Sequence, residues 1–341
     1  MAGGPGNAPK PPQRMRRAIR VAIVTDRAYL PWCATSIVSC AQATPDRDIR
    51  VHVLHPPEVS KGDQARLAKA ADDHGAAVEF HRFDEADVSM LPTKGPELGG
   101  RVSWVRLLLP DVLPDLDRVV YLDADTLVVG SLGPLWDVAL DDAPVAAVAN
   151  VTHSDVRPHL VSLGIDEAAH YFNAGVLLVD LAQWRREGAT DNLVQVVKSR
   201  EGLSWFDQDA LNLVFAGRWK SLHPRWNAMN SLWTWPDRAA DIFGAAALRE
   251  ATTDPGILHF EGPSLSKPWH YLCPHPWRSE YRSTLVRTPW ADTPLEDRTL
   301  ATMLIAQLPS RHQLSAYRRL DHVRRRVSSI RSRVASRLDR G

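Results

Sequence analysis

The first 85 residues alternate between short apolar runs and helical stretches, and this order restricts the chain to few folds. Ala18 to Thr25 (AIRVAIVT) reads as a strand that ends at Asp26, and a helix of small and apolar residues follows from about Pro31 to Ala43. Ile49 to Leu54 reads as a second strand, Lys61 to Gly75 as a helix with Ala and Leu at helical spacing, and Ala77 to Phe83 as a third strand. Such β-α-β-α-β order predicts a parallel sheet with helices on both faces and the outline of a nucleotide-binding half. A chain of 341 residues is long enough for one large α/β domain or for two domains. No internal repeat interrupts it, and residues 18–290 read as one unit.

The stretch Arg118 to Gly130, RVVYLDADTLVVG, adds chemistry to this frame. Val119, Val120, Tyr121 and Leu122 form an apolar run of the kind that becomes a buried parallel strand. The run ends in two carboxylates one residue apart, Asp123 and Asp125. Ligands of open α/β sheets sit beyond the carboxyl ends of the strands. Two carboxylates at such a place form a hard-oxygen site for Mg²⁺ or Mn²⁺, often shared with a substrate phosphate. The structural alternative is a turn whose Asp residues bond only local backbone amides.

Further along, Gly95 to Gly100 reads as a flexible connection and Ser103 to about Leu109 as helical. Val145 to Asn150 and Ala174 to Asp180 read as strands, and Leu181 to Arg186 as the start of a helix. Asp207 to Gly217 reads as a helix with Asp at its start and Gly at its end. Gly256 to Phe260 reads as a late strand that delivers His259. Glu261 to about Trp290, rich in Pro and Trp, reads as irregular but ordered.

The three cysteines, Cys33, Cys40 and Cys273, lack CxxC spacing. They suggest neither a disulfide framework nor a zinc site and fit a reducing cytoplasm. No apolar run reaches the length of a membrane span. Residues 1–17 lack the apolar core of a signal peptide and read as a disordered leader. Residues 311–341 carry ten Arg and two Asp, a net +8 within a chain total of +1, which leaves −7 on the rest. In this tail Leu320, Val323, Val327, Ile330, Val334 and Leu338 form a narrow apolar helical stripe, with Arg on much of the remaining face. A basic helical segment over residues 291–341 is therefore expected. Residues 318–340 suit an anionic membrane surface, at the inner face of a membrane for a cytoplasmic protein. Packing on the body and self-association into a homo-oligomer are the alternatives. Nucleic acid is not expected as a partner.

In chain order, IVTDRAYLP, WVRLLLPDVLPDLDRVVYLDADTLVVGSLGPLW, YFNAGVLLVDLAQWR, DQDALN and HFEGPSLSKPW resemble glycosyltransferase family 8, the retaining nucleotide-sugar transferases that include glycogenin and lipopolysaccharide α-galactosyltransferases. The resemblance runs from about Val21 to Trp269. It implies a Rossmann-like α/β domain of GT-A type with a mainly parallel mixed sheet. It also implies a DxD site that holds Mn²⁺, or Mg²⁺, against the diphosphate of a UDP-sugar. By that resemblance Asp123, Asp125 and His259 are the metal ligands, and neutral imidazole beside carboxylates suits Mn²⁺ better than Mg²⁺. Lys267 matches the lysine to the diphosphate, and Gly262 lies where backbone approaches phosphate. Asp26 and Tyr29 match residues at the nucleotide base. Ala28 stands where the family often has Asn. Arg106 matches an arginine that pairs with phosphate or a sugar hydroxyl. Asn173 and Ala174 match the donor-sugar strand, and Asp207 and Gln208 the pair beside the anomeric carbon.

The activity implied is transfer of a hexose, glucose or galactose, to a hydroxyl of a carbohydrate or lipid-linked acceptor with retention. Gln208 is a poor nucleophile, so the resemblance favours front-side attack assisted by the leaving phosphate over double displacement. A non-catalytic nucleotide-sugar-binding protein and a UDP-sugar hydrolase remain as alternatives. A phosphatase of the haloacid dehalogenase type fits poorly, because Leu127 and not Thr or Val stands two residues after Asp125.

Overall fold

Seven strands form the main sheet in the order β3-β2-β1-β4-β7-β6-β8: β1 (Ile19–Val24), β2 (Ile49–His55), β3 (Ala76–Arg82), β4 (Arg118–Leu122), β6 (Val145–Ala149), β7 (Phe172–Asp180) and β8 (Trp219–Ser221). This computed structural model describes residues 18–84, 86–89, 91, 102–152, 156–165, 170–200 and 202–338, and side chains as far as 326. The expected leader, the Gly95 to Gly100 connection and the distal part of the apolar stripe lie outside the described residues or side chains.

The β-α-β-α-β order folds as the apolar pattern requires. β1, β2 and β3 pair in parallel, and β4 joins the other side of β1, also in parallel. The helices Leu30–Ala43 and Lys61–Asp72 supply the crossovers. Ser60 and Asp63 form a reciprocal capping box at the second helix, which fixes its start. β7 is antiparallel to both β4 and β6. Its run FNAGVLLV is buried throughout, as expected for a strand covered on both faces.

A second sheet of three strands, β5 (Thr126–Val128), β10 (Ile257–His259) and β9 (Ala228–Met229), lies across the carboxyl end of β4. β10 pairs antiparallel with β5 and parallel with β9. Asp123 to Asp125 is thus the link between the two sheets. Register then does the positioning. Leu122 faces Val176, so Asp123 follows alongside Gly175, and the Asp123 N–H donates to the Gly175 carbonyl at 2.8 Å. His259 faces Thr126, and the Phe260 N–H donates to the Asp125 carbonyl at 3.0 Å.

The expected helical stretch from Ser103 forms as a 3₁₀ helix, Ser103–Leu108, that passes into an α-turn, Leu109–Val112, with Pro110 in its first turn. One local expectation is corrected. The Pro- and Trp-rich stretch after Glu261 is not irregular throughout. It contains the helix Arg278–Leu285, whose Tyr281 and Leu285 are buried against the core.

The helices Leu300–Ala306 and Ser310–Leu338 follow the body of the fold. Arg324 pairs with both Asp297 oxygens at 2.9 and 2.7 Å, and the Tyr317 hydroxyl lies 3.3 Å from His270 Nε2. These contacts tie the long helix to the body. Leu300 and Leu304 stay exposed beside it. No helix among the described residues is long and apolar enough to cross a membrane.

Candidate active site

Asp123 Oδ2, Asp125 Oδ1 and His259 Nε2 converge between the two sheets. His259 Nε2 lies 3.7 Å from Asp123 Oδ2 and 3.4 Å from Asp125 Oδ1, and one ligand atom from each residue lies within 4.8 Å of the others. The remaining atoms of the three side chains are tied to protein. Asp123 Oδ1 accepts the Tyr121 hydroxyl at 2.8 Å and lies 2.9 Å from Arg106 Nη2. Asp125 Oδ2 accepts from the Lys267 ammonium, which also donates to the Phe260 carbonyl at 2.8 Å.

His259 is oriented from behind. Asn227 Nδ2 donates to Asn173 Oδ1 at 2.8 Å, so Asn227 Oδ1 is left to accept from His259 Nδ1 at 3.0 Å. That bond puts the proton of a neutral imidazole on Nδ1 and turns the Nε2 lone pair toward the carboxylates, as the hydrogen-bond partners behind metal-binding histidines do. The residues fit a divalent cation on these grounds: two carboxylate oxygens and one imidazole nitrogen converge, each fixed by a partner on its far side.

The charges are strongly coupled. Burial would raise the Asp125 carboxyl, but Lys267 and His259 outweigh it and hold it well below the usual carboxylate range. Burial would lower His259 and Lys267, yet Asp125 outweighs it and raises both.

Arg106 reaches inward from the 3₁₀ helix and is buried. Its Nη1 donates to the Ala174 carbonyl at 2.6 Å, and its Nε donates to the Ser103 carbonyl at 3.2 Å. Nε also stands 2.6 Å from Asp207 Oδ2, off the direction of its N–H; this oxygen is paired by charge and accepts no hydrogen bond. Arg106 therefore connects β4, β7 and the helix Phe206–Val214 through one guanidinium. Burial pushes the Asp207 carboxyl up to about 6, with Arg106 opposing the shift and Asp123 adding to it.

Asp207 is not the helix cap. The helix starts at Phe206, whose φ is +48°, and Asp209 accepts the Trp205 N–H at 2.9 Å. Asp209 also takes the Tyr171 hydroxyl at 2.6 Å and lies 3.0 Å from His159 Nε2. Asp209 thus ties back the Trp205 N–H at the helix start, and Asp207 is turned to Arg106. Gln208 accepts the Ala174 N–H at 3.0 Å and donates to the Tyr171 hydroxyl at 3.2 Å. Both ends of the amide are engaged.

Ten of the twelve residues singled out from sequence are joined by these contacts or by electrostatic proximity. Tyr29, just before the helix Leu30–Ala43, lies edge-on to Trp269 at 6.1 Å and within the field of Lys267 and Asp125; burial raises its phenol, Lys267 opposes, and Asp125 adds. Asp26 touches the others only through Tyr29, whose N–H it accepts at 2.8 Å. Gly262, with φ of +93°, occupies a backbone region that favours glycine and sits near Ser266, apart from the cluster.

Sequence reading missed Tyr121, Gly175 and Asn227. Gly175 had a signal, since glycine inside an apolar strand marks a close backbone approach. Tyr121 looked like one more core residue of β4. Asn227 carried no motif at all, because its role depends on a pairing with His259 that only the second sheet creates.

This fold and site define a glycosyltransferase of GT-A architecture. The chain belongs to glycosyl transferase family 8, whose description matches residues 20–273. It is 28% identical over 255 residues to general stress protein A of Bacillus subtilis (strain 168), covering 72% of this chain and 85% of that protein. It is 25% identical over 276 residues to the lipopolysaccharide 1,2-glucosyltransferase of Escherichia coli (strain K12), covering 80% and 79%. A lipopolysaccharide 1,3-galactosyltransferase of Salmonella typhimurium (strain LT2) is 25% identical over 280 residues, again with 80% and 79% covered. Among solved structures, the galactosyltransferase LgtC in complex with donor and acceptor sugar analogs superposes with a TM-score of 0.69 at 27% identity, covering 80% of this chain and 96% of that one.

Proposed function

We propose that this glycosyltransferase moves a hexose, glucose or galactose, from a UDP-sugar to an acceptor hydroxyl with retention, with Mn²⁺ held by Asp123, Asp125 and His259. The observation that carries this reading is the convergence of Asp123 Oδ2, Asp125 Oδ1 and His259 Nε2 with their far sides already partnered. Mn²⁺ or Mg²⁺, when bound there, supplies Lewis-acid stabilisation of a departing diphosphate. The glucosyl- and galactosyltransferases among the relatives support hexose as the transferred group.

Lys267 stands beside Asp125 and offers a second positive charge to the diphosphate, and Gly262 lets the backbone approach it. Asp26 accepts from the base, and Tyr29 stacks on it. Arg106 holds Asp123 and Asp207 at fixed separation rather than meeting substrate as a free cation. Asn173, Ala174 and Asp207 line the donor sugar. Gln208, bound at both ends, supports the sugar's face and does not act as a nucleophile, which favours front-side attack by the acceptor. The acceptor is a carbohydrate or lipid-linked glycan.

The test is UDP release from a panel of UDP-sugars with Mn²⁺, with and without mixed sugar acceptors. Release from one or two hexose donors supports the assignment and names the donor. Hydrolysis unchanged by any acceptor would favour a UDP-sugar hydrolase, and tight UDP binding without turnover would favour a binding protein.

A second reading concerns the tail. Exposed Val323 on the Arg-rich helix, with exposed Leu300 and Leu304 on the helix before it, supports docking on an anionic surface at the inner face of a membrane. Sedimentation of the full chain with anionic but not neutral vesicles, lost on removal of residues 318–340, tests it. Concentration-dependent self-association without vesicle binding would favour a homo-oligomer.

A further inference from the structure

The far edge of the main sheet carries a second cluster with metal-ligand chemistry. His52 on β2 faces Glu79 on β3, and Leu54 faces His81, so Glu79 and His81 share one face of the edge strand with His52 beside them. His52 Nδ1 lies 3.0 Å from His81 Nε2 and 3.6 Å from Glu79 Oε2, and one ligand atom from each residue lies within 4.8 Å of the others. We propose that His52, Glu79 and His81 bind a zinc-class divalent cation that clips β2 to β3, separate from the Asp123 site.

Three observations support this site. Ligands about 2.0–2.1 Å from a tetrahedral ion stand roughly 3.3 Å apart, and the 3.0 and 3.6 Å separations bracket that value. Burial keeps both imidazoles in the neutral form that binds metal, lowering His52 to about 4 and also lowering His81. His52 is also buried, and its Nδ1 faces only the other two members of the cluster.

The surroundings leave one route open. Arg20 and Arg50 each lie 3.8 Å from Glu79 Oε1, which leaves Oε2 to the histidines. The Glu79 side chain is 47% exposed and gives solvent access. Two nitrogens and one oxygen favour zinc over manganese, whereas the oxygen-rich Asp123 site favours the reverse. The Asp123 site lies beyond the end of β4, between the two sheets, and β1 separates β4 from β2.

The test is a zinc titration of tag-free, full-length protein against a chromophoric chelator, with Mn²⁺ and UDP saturating. The proposal expects one zinc equivalent to be withheld from the chelator by wild type and by Asp125→Asn alike. His81→Gln and Glu79→Gln should each weaken that zinc by at least about tenfold, a loss comparable to removing a ligand. Unchanged UDP binding in both variants shows that they are folded. Failure of Asp125→Asn to withhold zinc, or affinity within tenfold of wild type in either folded variant, overturns the proposal.

Discussion

Gly175 and His259 meet where the two sheets cross, and there is no room for a side chain between them. A Cβ at 175 would stand 2.1 Å from His259 Cε1 and 2.7 Å from each ring nitrogen. Both residues are held from their own strands, and Gly175 also accepts the Asp123 N–H. Gly175→Ala must therefore displace the imidazole or shift β7. The expected outcome is a loss of at least about a hundredfold in kcat/KM at fixed Mn²⁺, with a stability cost of about 1–3 kcal/mol from overpacking. Activity within a few-fold of wild type would show that His259 position is unimportant.

Asn227→Ala removes the acceptor that fixes the His259 proton on Nδ1. The side chain is fully buried, so the variant leaves an unpaired N–H at a cost of about 1–3 kcal/mol. Metal affinity should fall by about 10–100-fold, the usual effect of losing a partner that orients a metal-binding histidine. Mn²⁺ titration of activity measures it, and an unchanged half-saturating concentration would contradict the orienting role.

Asp207 gives a pH signature. Its carboxyl is raised from 3.8 to about 6, chiefly by burial, so the folded state binds the extra proton between those values. The stabilising proton is present below about pH 4 and lost as pH rises through about 6, which removes about 3 kcal/mol from the fold. In chelator-treated enzyme, Asp207→Asn should gain stability relative to wild type between about pH 4 and about pH 7.5. Urea unfolding at both pH values measures this difference. Parallel pH profiles would mean that Asp207 is not buried as a titrating acid.

Lys267→Met tests the second positive charge. The ammonium sits on Asp125 and the Phe260 carbonyl, next to the position proposed for the diphosphate. The expected result is a rise in donor KM of about tenfold or more, consistent with loss of a charged hydrogen bond of roughly 1.5–3 kcal/mol. Initial-rate kinetics with varied donor measure it. A fall in kcat alone, with donor KM unchanged, would move Lys267 from ground-state binding to the chemical step.

The fold was legible because local pattern and global topology agree. Apolar runs such as those of β1, β2 and β4 have no amphipathic alternative, and the helices between them force parallel pairing. The antiparallel placement of β7 was not legible, because a buried strand reads the same in either direction. Site residues within motifs, Asp123, Asp125 and His259, could be marked from sequence. Their partners could not. Tyr121 is hidden in an apolar run, Asn227 ends a short 3₁₀ helix without a signature, and the roles of Asp207 and Asp209 depend on the positive φ of Phe206, which shifts the helix start by one residue.

The most direct measurement is calorimetric binding of UDP with and without Mn²⁺ to wild type and Asp125→Asn. Binding by wild type that is strengthened at least about tenfold by Mn²⁺, with no such gain in Asp125→Asn, is the expected result, since the metal would bridge carboxylate and diphosphate. UDP binding that is equally tight with and without Mn²⁺, or equally Mn²⁺-dependent in Asp125→Asn, would contradict the assignment of Asp123, Asp125 and His259 as the metal site.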